Sequence, residues 1–444
     1  MSPDDKRLSS EGTAARVPDV LRSKAAMRVY AVFGVLLLAF LWYNAVRRAT
    51  TPGSSHYLMF IDFSRDLIFD RINIYVEYSV TNTVTKYPPF MALIFAPLVP
   101  LPLWLGASIW FWVNLGLAVG ATYFGVLTVR ESGKGVGDRA LFVIPFVLAV
   151  GVIGSNLEVT QINHLTLFLL CWSLYAFKQG KDIGAGALIG VAAALKLTPG
   201  LFILYFLYKR SYKVVVGAGI GLVICWLVLP PLLVGFDNFV PVMAGWWGIL
   251  SAFLTEGTVA EGVVGFRHTN QSLSAVLHRF LSDVPADGGR GADYFVNIVS
   301  LSIPFVDYVF KAAVVTTFAF LVWICRTPLG NRDRLALSFE YSLIFIATLF
   351  ISPISWIDHY VFLLLPYIAG VYFVRTRPPI LRERRLMLYA LAVSFVLVSS
   401  SASRLMQAWS LPVLGALIIA AAIAVSLRGE QGRLRAEPEP QPQR

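Results

Sequence analysis

The residues best placed to do chemistry in this sequence are polar side chains that interrupt or flank long apolar stretches. Acids recur every four residues at Asp62, Asp66 and Asp70, so a helix would place them on one stripe. The opposite stripe is apolar, which is typical of a helix lying in a membrane interface. Such a helix holds a carboxylate at the depth where a lipid-borne phosphate would lie. The alternative is a solvated acidic face that anchors a loop.

Two lysines occupy positions that need an explanation. Lys196 stands midway along the apolar run 183–208, just before Thr198-Pro199. A lysine at that depth is costly unless it faces a cavity, a carboxylate or a bound anion, which favours a functional role. Lys86 precedes Tyr87-Pro88-Pro89-Phe90, where prolines fix a rigid entry into a helix. It either meets a phosphate or extends to the interface, and the second behaviour is the commoner one.

Further polar groups lie between apolar runs. One segment offers several donors suited to sugar hydroxyls and phosphate oxygens: Arg267, His268, Asn270 and Gln271. Trp246 and Trp247 could stack on a sugar or anchor the chain at the interface. Gln161 and Asn163 interrupt two spans. Asp358 and His359 follow Trp356 at a turn between two others, where the histidine is a phosphate donor, a proton shuttle or a structural cap.

The composition indicates the environment of these residues. Of 444 residues, 57% are hydrophobic and 14% are charged, whereas soluble domains carry roughly 25% charged residues. The sequence therefore predicts an all-α integral membrane protein. The net charge of +11 comes from Lys and Arg at the ends of apolar runs, as orientation signals do, and not from a nucleic-acid-binding stretch.

Nothing in the sequence predicts a metal or a cofactor. Walker, Rossmann, HExxH and GxSxG signatures and a DxD pair are all absent from the sequence. The three cysteines, Cys171, Cys225 and Cys325, lie in apolar segments and form no CxxC pair, so simple packing is the expected role.

Apolar runs of suitable length predict about twelve transmembrane helices with both termini in the cytoplasm. They are 29–46, 88–101, 103–129, 140–156, 162–178, 183–208, 213–234, 305–325, 336–352, 359–374, 386–402 and 410–427. The run 88–101 is short and rich in proline, so a re-entrant helix there, paired with a hairpin at 183–208, is the alternative.

The predicted spans and the polar segments between them divide the chain into five parts. A polar cytoplasmic tail, 1–28, precedes a seven-span core, 29–234, which includes the outer loop 47–87. A second extracytoplasmic loop, 235–304, leads to a five-span bundle, 305–427, and 428–444 forms a disordered cytoplasmic tail. We expect both outer loops to carry short amphipathic helices and the chemistry to lie on that side of the membrane.

Six short motifs in order resemble glycosyltransferase family 87, bacterial membrane enzymes of the GT-C architecture that use polyprenol-phosphate sugars. They are Asp62-Phe63, Tyr87-Pro88-Pro89-Phe90, Gln161-Ile162-Asn163, Leu195-Lys196-Leu197-Thr198-Pro199, Asn270-Gln271-Ser272-Leu273 and the run from Ser352 to His359. Each is weak alone, and together they cover roughly residues 55–370. The sequence departs from the family where Thr160 replaces a glycine common before the Gln-x-Asn motif. It also has Ile72-Asn73-Ile74-Tyr75 in place of a Gly-rich stretch.

The resemblance implies inverting transfer of a sugar from a polyprenyl-phosphate donor to a cell-envelope lipid or glycan at the outer face of the bacterial plasma membrane. A hexose such as mannose is the expected sugar. By position, Asp62 is the implied catalytic base. We expect Lys196, Arg267, His268, Asn270, Gln271 and His359 to bind the donor. Supporting roles are expected for Lys86, Tyr87, Gln161, Asn163, Trp356 and Asp358.

Two other classes of protein stay open on the sequence. A secondary transporter or lipid flippase would account for Lys196, because such proteins place ionisable groups near the membrane midplane. They also show inverted repeats, and no repeat relates the two halves of this sequence. A non-catalytic assembly subunit is the third alternative.

Overall fold

The computed structural model describes residues 24–53, 55–77, 86–131, 139–256, 265–287 and 294–436. Within these ranges the chain is helical and contains no sheet, and Asn270 and Trp356 form an isolated antiparallel bridge. The expected all-α fold is therefore confirmed.

The helices of the first half are α1 (Lys24–Ala49), α2 (His56–Ser64), α3 (Ile74–Glu77), α4 (Ala92–Phe95), α5 (Leu103–Val129), α6 (Ala140–Leu148), α7 (Val150–Val159), α8 (Asn163–Lys178), α9 (Asp182–Leu195), α10 (Gly200–Tyr208), α11 (Tyr212–Val223) and α12 (Leu229–Val234). Wider π-helical turns follow α2 over Arg65–Phe69 and join α11 to α12 over Ile224–Val228. Tighter 3-10 turns flank α4 over Pro89–Met91 and Ala96–Leu98.

The helices of the second half are α13 (Phe236–Glu256), α14 (Leu273–Leu281), α15 (Ile303–Ile324), α16 (Leu335–Ile351), α17 (Leu364–Thr376), α18 (Arg382–Ser399), α19 (Arg404–Ala408) and α20 (Leu411–Ala436). A 3-10 helix over Ile357–Leu363 leads into α17, and another over Ser400–Ala402 follows α18.

The structure supports fewer complete spans than the twelve predicted. Among the described residues, seven helices are long and apolar enough to cross a membrane: Val32–Ala49, Leu103–Val129, Tyr212–Val234, Ile303–Ile324, Ile357–Thr376, Arg382–Ala402 and Leu411–Leu434. The pair α6 and α7, bent by 63°, makes an eighth if it forms one span. The protein is thus a multi-pass membrane protein by helix composition.

The remaining predicted spans are helical but short or broken: α8 and α16 are continuous helices of 16 and 17 residues, and the other two runs contain proline. The run 88–101 contains only short turns because its prolines remove backbone donors. The run 183–208 is interrupted at Lys196, whose backbone is extended (φ −151°, ψ 131°). Pro199 follows as the N-cap of α10 and lacks the N–H that a continuous helix would need.

The second loop also differs from the prediction of short helices. Its first part is the 21-residue helix α13, which packs against α3 through Gly245. A Cβ added at Gly245 would lie 2.9 Å from the Tyr75 Cβ atom, so glycine permits this close approach. In the described part of the loop, α14 is a short amphipathic helix of the expected kind, and Ser272 caps it by accepting the N–H of Ala275 at 3.1 Å.

Close packing of α9 on α11 depends on small residues. Gly186 and Gly190 of α9 face Gly217 and Gly221 of α11, and a Cβ at any of them would overlap the backbone of the other helix. Such small-xxx-small pairs allow membrane helices to pack with their backbones in contact. The contact fixes the end of α9, where Lys196 lies.

A buried ion pair joins α10 to α16. The Lys209 ammonium lies 2.7 Å from the Glu340 carboxylate, and both side chains are almost completely buried. The carboxylate also accepts the Tyr205 hydroxyl and the Thr327 N–H, each at 2.8 Å. We expect Glu340→Gln to lower the free energy of unfolding by about 3–5 kcal/mol, because Lys209 would be left as an uncompensated buried charge.

This loss can be measured as a fall in melting temperature of the purified protein in detergent. The matched control is Asp307→Asn, which removes a partly exposed pair with Lys311 (2.7 Å) on one face of α15 and should change the melting temperature much less. An unchanged melting temperature for Glu340→Gln contradicts the prediction.

Candidate functional site

A cavity of about 260 Å³ lies where the break after α9 meets α2, α13 and the turn after α16. Its walls are partly aromatic, from Tyr87, Trp226, Trp246, Trp356 and Phe362, and partly polar, from His56, Lys86, Gln161, Lys196, Thr198, Ser352, Ser355 and His359. A mixture of flat apolar surfaces with a few polar groups is typical of a site for a small ligand. Six of the predicted site residues line it: Lys86, Tyr87, Gln161, Lys196, Trp356 and His359.

The break at Lys196 explains how the cavity obtains its cation. Because the residue is extended, its side chain leaves the helix end and enters a network with α8 and the 3-10 helix before α17. The Lys196 Nζ atom donates to the Asn163 Oδ1 atom at 2.5 Å and contacts the His359 Nε2 atom at 2.8 Å. An ammonium only donates, so His359 accepts through Nε2. One N–H of the ammonium therefore remains for a ligand.

Asp358 forms the layer behind this cation. Its Oδ2 atom accepts the Asn163 amide at 2.6 Å and lies 3.8 Å from the His359 Nε2 atom. Its backbone carbonyl accepts the amides of Asn156 and Asn163, each at 3.3 Å. The carboxylate thus orients the asparagine that holds Lys196, which is how outer groups commonly preorganise a site.

Gln161 follows a backbone position suited to glycine. Thr160 ends α7 with φ of 58°, in the left-handed region. The turn places the Gln161 Oε1 atom where it accepts the Tyr87 hydroxyl at 3.1 Å and the Ile162 N–H at 3.3 Å. Threonine in place of glycine at position 160 therefore introduces backbone strain, but the Gln161 side chain still lines the cavity.

Asp62 lies outside the cavity lining. It belongs to α2 one turn beyond Met59, which does line the cavity, and its side chain is 48% exposed. The Asp62 Oδ1 atom accepts from the Arg65 guanidinium at 3.1 Å. Burial raises the pKa of Asp62 above its ordinary value, the Arg65 charge opposes this, and Asp66 adds to it. Asp62 is therefore a half-exposed carboxylate outside the cavity lining, one helical turn from a residue that belongs to the lining.

The polar residues of the second loop do not line the cavity; contacts within the fold engage them. Asn270 uses its Oδ1 atom to accept the N–H groups of Ser355 (2.9 Å) and Ser272 (3.1 Å). The Gln271 amide donates to the Gln407 carbonyl at 2.7 Å. His268 contacts the Ala286 carbonyl at 3.0 Å, and burial lowers its pKa. Arg267 is likewise absent from the lining. Asn270 therefore positions the turn that carries Ser355 and Trp356.

Most lining residues of the cavity were not among the predicted site residues, and His56 and Trp226 are two of these. His56 opens α2, and the acidic stripe that marks this helix in the sequence lies on a different face. Trp226 sits in the π-helical turn after α11 and donates to the Ala194 carbonyl at 3.3 Å. Nothing in the local sequence marks either residue. Trp246 lines the cavity, whereas its neighbour Trp247 is exposed.

Among the described residues, no group of three or more His, Cys, Asp or Glu side chains could hold a metal ion. The fold and the cavity together define a multi-pass membrane protein whose site combines a buried ammonium, imidazoles and amides with aromatic walls. The model of glycosyltransferase family 87 matches residues 85–353, more than half of the chain. The chain belongs to glycosyltransferase family 87.

Curated relatives share between 26% and 28% identity with the chain. One is a polyprenol-phosphate-mannose-dependent alpha-(1-2)-phosphatidylinositol pentamannoside mannosyltransferase of Mycobacterium tuberculosis, 26% identical over 62% of this chain and 56% of that protein. Its namesake in Mycolicibacterium smegmatis is 28% identical over 63% and 58%. A phosphatidylinositol mannoside mannosyltransferase of the same species is 28% identical over 63% and 59%. The chain thus aligns with less than two thirds of each relative. No solved structure matches it.

Proposed function

We propose that the protein transfers a sugar from a polyprenyl-phosphate donor to a hydroxyl group of a cell-envelope lipid or glycan, with inversion at the anomeric carbon. The observation that carries this proposal is the Lys196 ammonium in an aromatic-lined cavity. Within the described chain it contacts an amide oxygen and an imidazole but no carboxylate. A phosphate on a lipid carrier accepts the remaining N–H of the ammonium, and the aromatic walls suit a sugar.

The sugar is proposed to be a hexose, and mannose is the first hexose to test. The support is the activity of the relatives, which are polyprenol-phosphate-mannose-dependent mannosyltransferases. The acceptor in those proteins is a phosphatidylinositol mannoside, so a mannosylated lipid is the first acceptor to test here.

The reaction needs a base, a leaving group and a stabilised phosphate. Asp62 takes the proton of the acceptor hydroxyl while that oxygen bonds to the anomeric carbon from the face opposite the phosphate. The bond between the anomeric carbon and the phosphate oxygen breaks, and the electron pair leaves with the polyprenyl phosphate. Lys196 stabilises the charge that develops on that oxygen, with His359 holding the ammonium in place.

The cavity is proposed to open on the extracytoplasmic side in a GT-C bundle. Helix α16 begins beside Arg332 and Arg334 and ends beside Ser352, which lines the cavity. Helix α10 agrees with this orientation. It begins just after Thr198, which lines the cavity, and it ends beside Lys209-Arg210. Because basic residues favour the cytoplasmic side, the cavity end is the outer one. The shorter helices Pro89–Leu98, α8, α9–α10 and α16 complete the twelve crossings of this proposal.

The test is transfer by the purified protein in lipid nanodiscs. We expect radiolabelled polyprenyl-phosphate mannose and a phosphatidylinositol mannoside to give a labelled glycolipid, while a nucleotide-linked mannose gives none. The rival class is a transporter or flippase. Movement of the donor across proteoliposomes with no new glycosidic bond, over a panel of polyprenyl-phosphate sugars, would overturn the proposal.

A further inference from the structure

His56 is a cavity residue whose imidazole is near the Val159 backbone carbonyl but makes no hydrogen bond of ordinary geometry with the described part of the chain. Its Nδ1 atom is buried and has no hydrogen-bond partner within the described ranges. The ring is only partly buried and lines the cavity, so the cavity-facing edge carries the Nε2 atom, which also has no hydrogen-bond partner there. Stacking on Phe60, with ring centroids 6.1 Å apart and planes at 27°, fixes the orientation of the imidazole. The ring is therefore held rigidly with one nitrogen available to a ligand.

A second polar group in the same cavity is also available. The Gln161 Oε1 atom is occupied by the Tyr87 hydroxyl and the Ile162 N–H. The amide NH₂ group has no such partner in the described part of the chain, and Gln161 lines the cavity. The cavity thus offers an amide donor and an imidazole nitrogen in addition to the one spare N–H of Lys196. A ligand that bears several hydroxyl groups would use all three.

The charge state of His56 distinguishes between the possible ligand groups. Burial lowers the pKa of His56 below its ordinary value of 6.5; the Asp358 charge and the Val159 carbonyl oppose this shift, and the Lys196 charge adds to it. The imidazole is therefore neutral near pH 7. A hydroxyl group donates and accepts, so it can pair with Nε2 in either tautomer, whereas a phosphate oxygen pairs only with an N–H.

From this geometry we infer that His56 is a sugar-binding residue, whose Nε2 atom forms a hydrogen bond with a hydroxyl group of the sugar bound in the cavity. The inference rests on the proposed function, since it assumes a sugar substrate. The hydroxyl belongs either to the sugar carried by the donor or to the terminal sugar of the acceptor, and the two sources differ in which substrate binds more weakly when His56 is changed.

Three substitutions distinguish hydrogen bonding by the Nε2 atom of His56 from packing of its ring. The glutamine amide in His56→Gln reaches approximately to Nε2, the asparagine amide in His56→Asn reaches only to Nδ1, and His56→Phe keeps the ring without nitrogen. We expect the asparagine and phenylalanine variants to bind one sugar substrate about 10-fold more weakly, the effect of one hydrogen bond. The glutamine variant should stay within about 3-fold of the unmodified protein.

Binding is measured without catalysis, by quenching of the fluorescence of the three cavity tryptophans, with polyprenyl-phosphate mannose, bare polyprenyl phosphate and a phosphatidylinositol mannoside as probes. If only polyprenyl-phosphate mannose binds more weakly, His56 contacts the donor sugar. If only the phosphatidylinositol mannoside binds more weakly, His56 contacts the acceptor sugar. Melting temperatures confirm folding, and the Gln and Asn pair decides the result if the Phe variant is unstable. Equal binding by all variants, or equal weakening of Gln and Asn, overturns the inference.

The two proposals fail in different ways. If the unmodified protein transfers mannose and the His56 variants bind every probe normally, only the role of His56 is overturned. If no polyprenyl-phosphate sugar gives product, the proposed function is overturned. The binding comparison between mannosylated and bare carrier still decides whether His56 contacts a sugar.

Discussion

Replacing Asp62 by asparagine is expected to lower kcat for sugar transfer by about 10²–10⁴-fold, the usual contribution of a general base. Asparagine keeps the size and polarity of the side chain but cannot take a proton from the acceptor hydroxyl. The Michaelis constants should change little, because Asp62 lies outside the cavity lining. The matched control is Asp70→Asn, which changes an exposed acid two turns further along the same sequence stripe and should retain full activity.

The pH dependence gives this prediction a second readout. A base must be deprotonated, so kcat rises as the pH rises through the pKa of Asp62. That pKa lies above the ordinary value of 3.8 because of burial, while Arg65 lowers it from 3.1 Å away. We therefore expect Arg65→Gln to move the acidic limb of the kcat profile to higher pH, and Asp62→Asn to remove the limb. Full transfer by a folded Asp62→Asn protein would falsify the role of this carboxylate.

Replacing Lys196 by methionine is expected to lower kcat/KM by about 10²–10³-fold, comparable to the loss of one preorganised group that stabilises a developing oxyanion. Methionine fills a similar volume without the charge, so Asn163 and His359 lose the donor that joins them. Binding of bare polyprenyl phosphate should weaken as well, because the phosphate loses its cation. Kinetics and fluorescence titration measure the two effects separately.

Lys196→Arg is the informative companion to this variant. It retains the charge, but a planar guanidinium does not reproduce the contacts of 2.5 and 2.8 Å made by the ammonium. We expect it to bind bare carrier phosphate better than the methionine variant while remaining impaired in transfer. If the methionine variant binds and transfers normally, Lys196 is a packing residue and the phosphate lies elsewhere.

The comparison of sequence and structure is clearest at the membrane helices. Every apolar run predicted as a span contains helix within the described residues, because burial in lipid leaves a backbone few other ways to satisfy its hydrogen bonds. Span lengths were less predictable. The run 140–156 is bent by 63° and the run 183–208 is broken at Lys196. Such breaks depend on proline and on the tertiary partners that the released backbone N–H and C=O groups find.

The motifs of the sequence separate into two groups in space. Lys196, Gln161 and His359 converge on the cavity. Asn270 instead holds the turn that carries Ser355 and Trp356, and the Gln271 amide donates to the Gln407 carbonyl. A list of donor residues cannot make this distinction, because a polar side chain serves the fold or a ligand according to which partners surround it.

The sequence by itself determined the membrane environment, the helical fold, the family and most of the residues around Lys196, since these depend on composition, hydrophobic run length and short motifs. The tertiary structure alone decided that His56 and Trp226 join the cavity and that Asp62 lies outside its lining. The reason is physical: such positions depend on the angles at which helices and their breaks pack together, and those angles arise from contacts between residues far apart in the chain.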